Sequence, residues 1–359
     1  MKAIGVEDYG PVEKLVPKLL PDPSGPDGRD LLVRIVLTEK SVRIEACSVN
    51  PVDTKVRAGK YDDYPDYYVN VPRPFQICGF DAAGTVIAVG PDCELFKKGD
   101  DVYYSGSPIR QGSNAEYQVV DERSVGHKPQ NLDWTQAAVM PLTYVTAYEA
   151  LVERLEIRKG ERAALLIING AGGVGSVAIQ IARRVLKLPV VIATASRPNT
   201  TEWAKKMGAT HVINHKEDLE KQINALGLNV PLRYIFITHT TDQYMEVCGR
   251  IAAPFGKVCS IVQGQALMYG SKFMAKSLSF IWCLLGTKPY YQVDVESHYK
   301  ILEELTDLIE SGKIKCHLTR RLRLTLDGLR EGHRLIEEGG VIGKIGLGVG
   351  EHGIGEAFT

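Results

Sequence analysis

The spacing of apolar and polar positions changes along the chain near residue 135. Before that point, short apolar runs are separated by Gly, Pro and Asp, a pattern that predicts strands and turns. The strands predicted in this part cover residues 31–37, 42–48, 84–89 and 101–104. From about 135 to 289, apolar runs alternate with segments of helical period, with strands predicted at residues 164–168, 190–194, 211–214, 234–238 and 258–262. This alternation predicts an α/β fold with a doubly wound parallel sheet.

The pattern changes again after about residue 289. Residues 296–310 carry apolar side chains at the spacing of one buried helical face, and Gly312 supplies a stop. A basic segment follows, then a predicted helix at 325–338 and a final strand at 343–349. The basic segment contains Arg320, Arg321 and Arg323, which form either a solvated strand edge or a patch for an anionic substrate.

One stretch within the alternating region predicts a dinucleotide site. The apolar residues 165–168 lead into a G-x-G-x-x-G turn and then a helical segment, and a second apolar strand follows at the distance that a βαβ unit requires. Glycines permit the tight turn, the approach of a pyrophosphate and the packing of the helix, whose N-terminus faces the phosphates. The residues expected to contact the cofactor here are Gly170, Ala171, Gly172, Gly173, Val174 and Gly175.

The end of the second strand favours NADPH over NADH. An NAD site places a carboxylate there for the ribose 2′-hydroxyl, whereas an NADP site presents a positive group to the extra phosphate. This chain has Ser196 and Arg197 at that point, and no carboxylate before Glu202. Arg197 is therefore a candidate phosphate partner, with Ser196 as a hydroxyl donor. The alternative for Arg197 is a solvated loop arginine.

Composition narrows the classes of partner. The chain has 359 residues, enough for two domains, and its 43 Lys plus Arg balance its 43 Asp plus Glu. No global charge field therefore recruits nucleic acid or anionic membrane, and a small-molecule partner is expected. The first ten residues lack the apolar core of a signal peptide, and the longest apolar stretch, residues 278–285, is too short to span a bilayer. With seven scattered cysteines, these features predict a cytoplasmic protein with reduced thiols.

Several motifs, taken together, resemble one known superfamily over essentially the whole chain. They are CSVNPVDTKVRAGKY, GFDAAGTVIAVG, FKKGDDVY, AAVMPLTYVTAYEAL, INGAGGVGSVAIQIA, KMGATHVIN and GKI. In order and spacing they resemble the zinc-independent quinone oxidoreductase branch of the medium-chain dehydrogenase/reductase superfamily, in its zinc-type alcohol dehydrogenase-like subgroup. The resemblance implies a GroES-like, strand-rich catalytic domain at 1–135 and 290–359, a Rossmann NADPH-binding domain at 136–289, and a homodimer.

The resemblance also allows the chain to be checked for the ligands of a catalytic zinc ion. The zinc enzymes of the superfamily hold catalytic metal with cysteine, histidine and a further cysteine or acid, and this chain has Asn50, Phe80 and about Leu142 at the matching positions. Phenylalanine and leucine cannot ligate zinc, so no metal is expected.

Without a Lewis acid, hydride transfer to quinones or activated double bonds is easier than reduction of a simple carbonyl. The expected enzyme is an NADPH-dependent quinone or enone reductase that acts on a small hydrophobic substrate in the cleft between the two domains.

Five further residues are carried over from the family. Asn50 matches an asparagine beside the nicotinamide, and Tyr61 matches a tyrosine that enoyl thioester reductases use as a donor. The resemblance implies that these two are the catalytic residues, which orient or polarise the acceptor; a turn residue and a packing aromatic are the respective alternatives. Thr146 matches a position near the carboxamide, Thr238 one near the nicotinamide ribose, and His215 one near the adenosine ribose. A rival interpretation is an NADPH-binding sensor, structural or RNA-binding protein with little catalysis.

Overall fold

The computed structural model describes residues 1–34, 46–61, 64–266 and 268–348. The chain forms two compact units. The first contains Met1–Leu142, Gly286–Gly312 and the chain from Cys316 onward, and the second contains Thr143–Leu285 and Lys313–Lys315. Along the described ranges, no helix is long and apolar enough to cross a membrane.

The first unit is built mainly from short strands. They are β1 Lys2–Val6, β2 Val16–Leu19, β3 Asp30–Arg34, β4 Ala46–Val49, β5 Gln76–Ile77, β6 Asp81–Val89, β7 Asp101–Ser105, β8 Tyr117–Asp121, β9 Val125–His127, β16 Leu318–Arg323 and β17 Lys344–Gly348. A three-stranded sheet has the order β2-β1-β5, and a larger sheet follows the path β16-β17-β4-β6-β3-β8, with β7 paired to β6 and β9 to β7. These pairs are antiparallel except for β16 with β17.

Helices cover parts of this first unit. They are α1 Pro51–Arg57, α2 Tyr67–Asn70, α3 Trp134–Ala138, α9 Thr287–Tyr291, α10 Glu296–Glu310 and α11 Leu326–Glu338, with 3₁₀ turns at Val12–Lys14 and Glu122–Ser124. The buried core takes inward-facing strand residues such as Val33, Val49 and Leu347, together with Leu329 from α11. Alternate strand positions face this core because side chains of a strand alternate between its two faces.

The second unit is a parallel α/β structure. Its strands are β10 Ala164–Ile168, β11 Val190–Thr194, β12 His211–Ile213, β13 Leu232–Ile237, β14 Lys257–Ser260 and β15 Ser279–Trp282. Its helices are α5 Gly173–Gln180, α6 Pro198–Met207, α7 Leu219–Ala225 and α8 Thr241–Ile251, and α4 Pro141–Tyr148 leads into the unit. Helices α4 and α5 continue as π-helical turns at Glu149–Arg154 and Ile181–Val185. The strand order β12-β11-β10-β13-β14-β15 is that of a doubly wound sheet, which confirms the predicted fold class.

Most strands of the second unit lie where the sequence predicts them. Strands β10 and β11 match the prediction residue for residue, and β12, β13 and β14 differ by one or two residues at their ends. Strand β15 lies in the apolar block 278–285 and was not predicted as a strand. Parts of the strands predicted at 31–37, 42–48 and 343–349, namely 35–37, 42–45 and 349, lie outside the described residues. Of the two alternatives for the basic segment, the edge strand fits: β16 ends the sheet, and Arg321 pairs with Asp133.

Two histidines of the first unit, His333 and His317, are fully buried. His333, on α11, has its Nδ1 3.4 Å from Arg57 Nη1, and its Nε2 is buried without a partner. His317 has its Nδ1 3.2 Å from Met140 Sδ. Burial lowers the pKa of each to about 3, and the nearby charges of Arg57 and Lys344, respectively, add to the effect. Both imidazoles are therefore neutral in the folded protein at neutral pH.

We expect acid to destabilise the fold through these two groups. Below the unfolded-state pKa of about 6.5 the unfolded chain binds protons that the folded chain does not, so each histidine lowers the free energy of unfolding by about 1.4 kcal/mol per pH unit as the pH falls toward 3. Urea unfolding at pH 7, 6 and 5 should show this slope. His333→Gln should lower this slope by about 1.4 kcal/mol per pH unit, which is the contribution of one histidine. An unchanged slope in His333→Gln would contradict the assignment.

Candidate active site

The predicted glycine turn connects β10 to α5 in the second unit. Helix α5 begins at Gly173, with Gly172 as its N-cap residue. A Cβ on Gly170 would lie 2.6 Å from Ala193 Cβ, and one on Gly175 would lie 2.3 Å from the Asn169 carbonyl oxygen. Side chains are therefore excluded at both positions, and the turn holds the helix N-terminus close to the ends of β10 and β11. This cradle fits the pyrophosphate of a dinucleotide.

Polar side chains, among them the positively charged Arg197, follow the ends of the neighbouring strands. Ser196 and Arg197 follow β11, and Arg197 is exposed, its backbone N–H donating to Thr200 Oγ1 at 3.1 Å. His215 follows β12, and its Nδ1 is buried without a partner. Burial lowers the pKa of His215, and the charges of Lys216, His239 and Arg197 lower it further. Because β10, β11 and β12 are adjacent and parallel, the structure brings the turn, Ser196, Arg197 and His215 to one edge of the sheet.

Two more predicted cofactor residues lie in this unit. Thr238 directly follows β13, which pairs with β10, and its hydroxyl donates to the Ile168 carbonyl at 2.8 Å. Thr146 is buried on α4. Lys216 and His239, which the sequence analysis did not name, also follow the ends of parallel strands, which is where ligands collect in such sheets.

The predicted residue Asn50 lies in the first unit, within a fully buried polar cluster. Its amide nitrogen donates to Asp81 Oδ2 at 2.8 Å and approaches Ser48 Oγ at 3.3 Å, and its amide oxygen accepts from Lys344 Nζ at 2.5 Å. Lys344 Nζ also donates to the Val49 carbonyl at 2.9 Å and lies 3.4 Å from Asp81 Oδ2. We call Ser48, Asn50, Asp81 and Lys344 the buried polar cluster.

Asp81 is the acceptor at the centre of this cluster. Besides Asn50 and Lys344, it accepts from Ser48 Oγ at 2.7 Å through Oδ2, and from the Leu142 N–H at 2.8 Å through Oδ1. Burial raises the pKa of Asp81 and lowers that of Lys344, while the attraction between the two charges opposes both shifts. The surrounding hydrogen bonds favour the ionised carboxylate.

These bonds fix the orientation of the Asn50 amide. An ammonium can only donate, so the amide oxygen must face Lys344 and the amide nitrogen must face Asp81. Both hydrogens of the amide nitrogen are then engaged, and Asn50 is only 1% exposed. In this arrangement Asn50 keeps a lone pair with which to accept, but no hydrogen with which to polarise an acceptor oxygen.

Asp53 supports Asn50 from the first turn of α1. Its Oδ2 accepts from the Asn50 backbone N–H at 2.6 Å. Burial raises the pKa of Asp53 to about 7, against the lowering effects of that hydrogen bond and of Lys344. The carboxyl therefore titrates near neutrality, although it is only 1% exposed.

The second predicted catalytic residue, Tyr61, lies within a group of tyrosines after α1. Its ring packs edge-on against Tyr64 at 5.7 Å and against Tyr67 at 4.9 Å between centroids, and it is 4% exposed. Tyr64 in turn stacks on Tyr290 from α9 at 4.3 Å. These contacts give the Tyr61 ring a packing role and form a predominantly aromatic surface next to α1; they concern the ring and do not test the use of its hydroxyl as a donor.

Residues at the positions that hold zinc in the alcohol dehydrogenases do not form a cation site here. Asn50 would be the single oxygen donor among Asn50, Phe80 and Leu142, and its oxygen already faces the Lys344 ammonium. A metal cation at that oxygen would lie beside a like charge in a fully buried position. Within the part of the chain that the structure describes, no group of three or more His, Cys, Asp or Glu side chains could hold a metal ion.

Comparison with known proteins places the chain in a family. Residues 38–130 match the model of the alcohol dehydrogenase GroES-like domain, and residues 173–298 match that of the zinc-binding dehydrogenases. A zinc-type alcohol dehydrogenase-like protein of Staphylococcus aureus strain COL is 40% identical over 314 residues, which cover 86% of this chain and 90% of that protein. The chain belongs to the medium-chain dehydrogenase/reductase superfamily. This confirms the resemblance inferred from the motifs, including the quinone oxidoreductase-like branch.

Two other similar proteins have named activities. The chloroplastic NADPH-dependent alkenal/one oxidoreductase of Arabidopsis thaliana is 33% identical over 322 residues, which cover 88% of this chain and 71% of that protein. The quinone oxidoreductase of Escherichia coli, solved in complex with NADPH, has a TM-score of 0.78 and 25% identity, and the match covers 97% of this chain and 99% of that one. The chain is accordingly an oxidoreductase of this superfamily.

We expect the Lys344 charge to be essential to the first unit. Lys344→Met leaves Asp81 buried with its counter-ion removed, and breaking a buried pair in this way costs about 3–5 kcal/mol. Urea unfolding followed by circular dichroism should show that loss. Arg321→Gln breaks the half-exposed pair with Asp133 and should cost about 1 kcal/mol or less. An equal decrease in the free energy of unfolding in the two variants would show that the buried ion pair stabilises the unit no more than the half-exposed pair does.

Proposed function

We propose that this protein is an NADPH-dependent, zinc-independent reductase that transfers hydride to quinones or activated double bonds. The observation that carries the proposal is the contact of Lys344 with Asn50, because it places a fixed ammonium against the single oxygen donor among Asn50, Phe80 and Leu142, the positions matched to zinc ligands. The named activities of the Arabidopsis and E. coli relatives support the reaction class.

The second unit would bind the cofactor. The turn from Gly170 to Gly175 and the N-terminus of α5 would hold the pyrophosphate, and Ser196 and Arg197, with His215 nearby, would hold the 2′-phosphate. When bound, NADPH supplies the hydride. Thr146 and Thr238 are proposed to lie near its nicotinamide half.

The first unit would bind the acceptor. Hydride addition to an enone leaves charge on its oxygen, which needs a hydrogen-bond donor, and the α-carbon then needs a proton. Since both hydrogens of the Asn50 amide nitrogen are engaged, we assign the donor role to the Tyr61 phenol and to Asn50 the role of a fixed hydrogen-bond acceptor. The tyrosines around Tyr61 suit a small hydrophobic or aromatic acceptor.

We further propose a cytoplasmic homodimer that takes no nucleic acid. The balanced charge of the chain supports the absence of a nucleic-acid partner, and the resemblance to the family supports the dimer.

The reaction class can be tested by NADPH oxidation at 340 nm, with EDTA present throughout. The acceptors are 9,10-phenanthrenequinone, 1,4-benzoquinone, a medium-chain enal, an enoyl thioester and, for comparison, a saturated aldehyde. We expect turnover with quinones or unsaturated carbonyls that the chelator does not affect. Loss of activity with EDTA and its return with zinc would contradict zinc independence. Tight NADPH binding without any turnover would favour a sensor or binding protein instead.

Cofactor choice can be tested at Arg197. Arg197→Glu places a negative charge at the proposed 2′-phosphate site and should raise the Kd for NADPH about tenfold or more, while leaving that for NADH nearly unchanged. Cofactor fluorescence measures both constants. Lys205→Glu makes the same charge change at an exposed position on α6 and serves as the control. Equal Kd values for NADPH in Arg197→Glu and the wild type would remove Arg197 from the site.

A further inference from the structure

A second candidate binding site lies in the first unit. A cavity of about 100 Å³ is bounded by the end of β7, the following segment to Arg110, strand β8, and residues of α9 and the start of α10. None of the residues assigned above to the cofactor or the acceptor lines it. The cavity is therefore lined by a set of residues separate from the proposed cofactor and acceptor sites.

Ser105 gives this cavity an unsatisfied polar group. Ser105 is the last residue of β7 and is 4% exposed, and its Oγ is buried without a hydrogen-bond partner. A hydroxyl in such a position loses its hydration without compensation, which costs free energy unless a ligand or water supplies the bond. By contrast, the amide of Gln118 is engaged at both ends, by Tyr104 and by the Gln111 carbonyl.

Strand β8 adds main-chain groups to the lining. Residues 118–121 line the cavity consecutively, although neighbouring side chains of a strand point to opposite faces. The cavity therefore follows the edge of β8. Strand β8 ends the sheet path next to β3, so alternate N–H and C=O groups on its second edge face away from that partner.

Charges at the rim cancel in pairs. Arg110 Nη1 lies 2.8 Å from Asp30 Oδ1. Asp121 accepts two hydrogen bonds from the Arg123 guanidinium, at 3.0 and 2.8 Å, and Arg123 also donates to Gln292. Each charge at the rim is already neutralised by its partner, so an ionic ligand would find no unpaired counter-charge there, whereas an uncharged ligand needs none.

Apolar side chains complete the wall. Ile109, Val120, Pro289 and Val295 line the cavity together with the serines. A cavity of 150 Å³ accommodates benzene, so about 100 Å³ suits roughly four or five non-hydrogen atoms. The geometry points to a binding site for a small uncharged ketone or alcohol, whose oxygen bonds to Ser105 Oγ and whose carbon atoms contact the valines. This inference does not rest on the proposed reductase activity.

The test uses the full chain without cofactor, with labelled methyl groups observed by NMR. Butan-2-one is the probe; 2-methylbut-1-ene has the same shape without the oxygen, and propionate has a similar size with a charge. We expect butan-2-one to bind with a Kd of about 1–10 mM and to show nuclear Overhauser effects to the methyl groups of Val120 and Val295. The two comparison probes should bind at least threefold more weakly.

Ser105→Ala supplies the decisive variant. Loss of one neutral hydrogen bond should weaken butan-2-one binding by about three- to tenfold and leave 2-methylbut-1-ene binding unchanged. Ser311→Ala, at an exposed serine on the end of α10, is the control and should bind like the wild type. Absence of the Overhauser effects in the wild type would overturn the proposal even if Ser105→Ala failed to fold, and so would equal binding of butan-2-one in Ser105→Ala and Ser311→Ala.

Discussion

Lys344 and Asp81 form an ion pair that is buried in the interior of the first unit. The packing of three strands depends on this pair. Removing each ion from water costs several kcal/mol, which is recovered only if the geometry and the remaining hydrogen bonds are nearly complete. Lys344 begins β17, Asp81 begins β6, and Asn50 follows the end of β4. Satisfying the ammonium therefore requires these three strand ends to meet, which agrees with the order β17-β4-β6 in the sheet. The start of α1 is fixed by the same contacts, since Asn50 is its N-cap residue.

Most strands of the second unit could be predicted because short, continuous stretches of sequence determine them. Strands β10 and β11 are continuous apolar runs buried at every position, and the glycine turn between β10 and α5 allows no side chain at Gly170 or Gly175. The polar residues after β11 and β12 could be placed together because parallel strands end at one edge of the sheet. Strand β15 was missed because it is an edge strand with partly exposed apolar residues, among them Trp282 at 43%, and so it shows neither alternation nor full burial.

The buried polar cluster could not be predicted, since its contacts join distant parts of the chain. Lys344 is 263 residues from Asp81 and 294 from Asn50. The motifs GFDAAG and GKI marked both regions, but no periodicity or spacing connects one to the other. Family resemblance predicted Asn50 as a site residue without showing what its amide contacts. For Tyr61, the run of neighbouring tyrosines did indicate aromatic packing, and the rings of Tyr64 and Tyr67 provide it.

The arrangement of these charges also bears on the choice of acceptor. Lys344 directs its hydrogens to the Val49 carbonyl, the Asn50 amide oxygen and Asp81, so it has none with which to polarise a substrate directly. In the proposed reaction, the strongest hydrogen-bond donor of the cluster would therefore not contact the acceptor, and a neutral donor such as the Tyr61 phenol would stabilise the charge that develops on it. A saturated ketone needs strong polarisation of its oxygen before it accepts hydride. An enone spreads the charge over a conjugated system, and a quinone becomes aromatic on reduction, so a single neutral hydrogen bond serves them better. The internal placement of Lys344 therefore supports the proposed preference for conjugated acceptors over simple carbonyls.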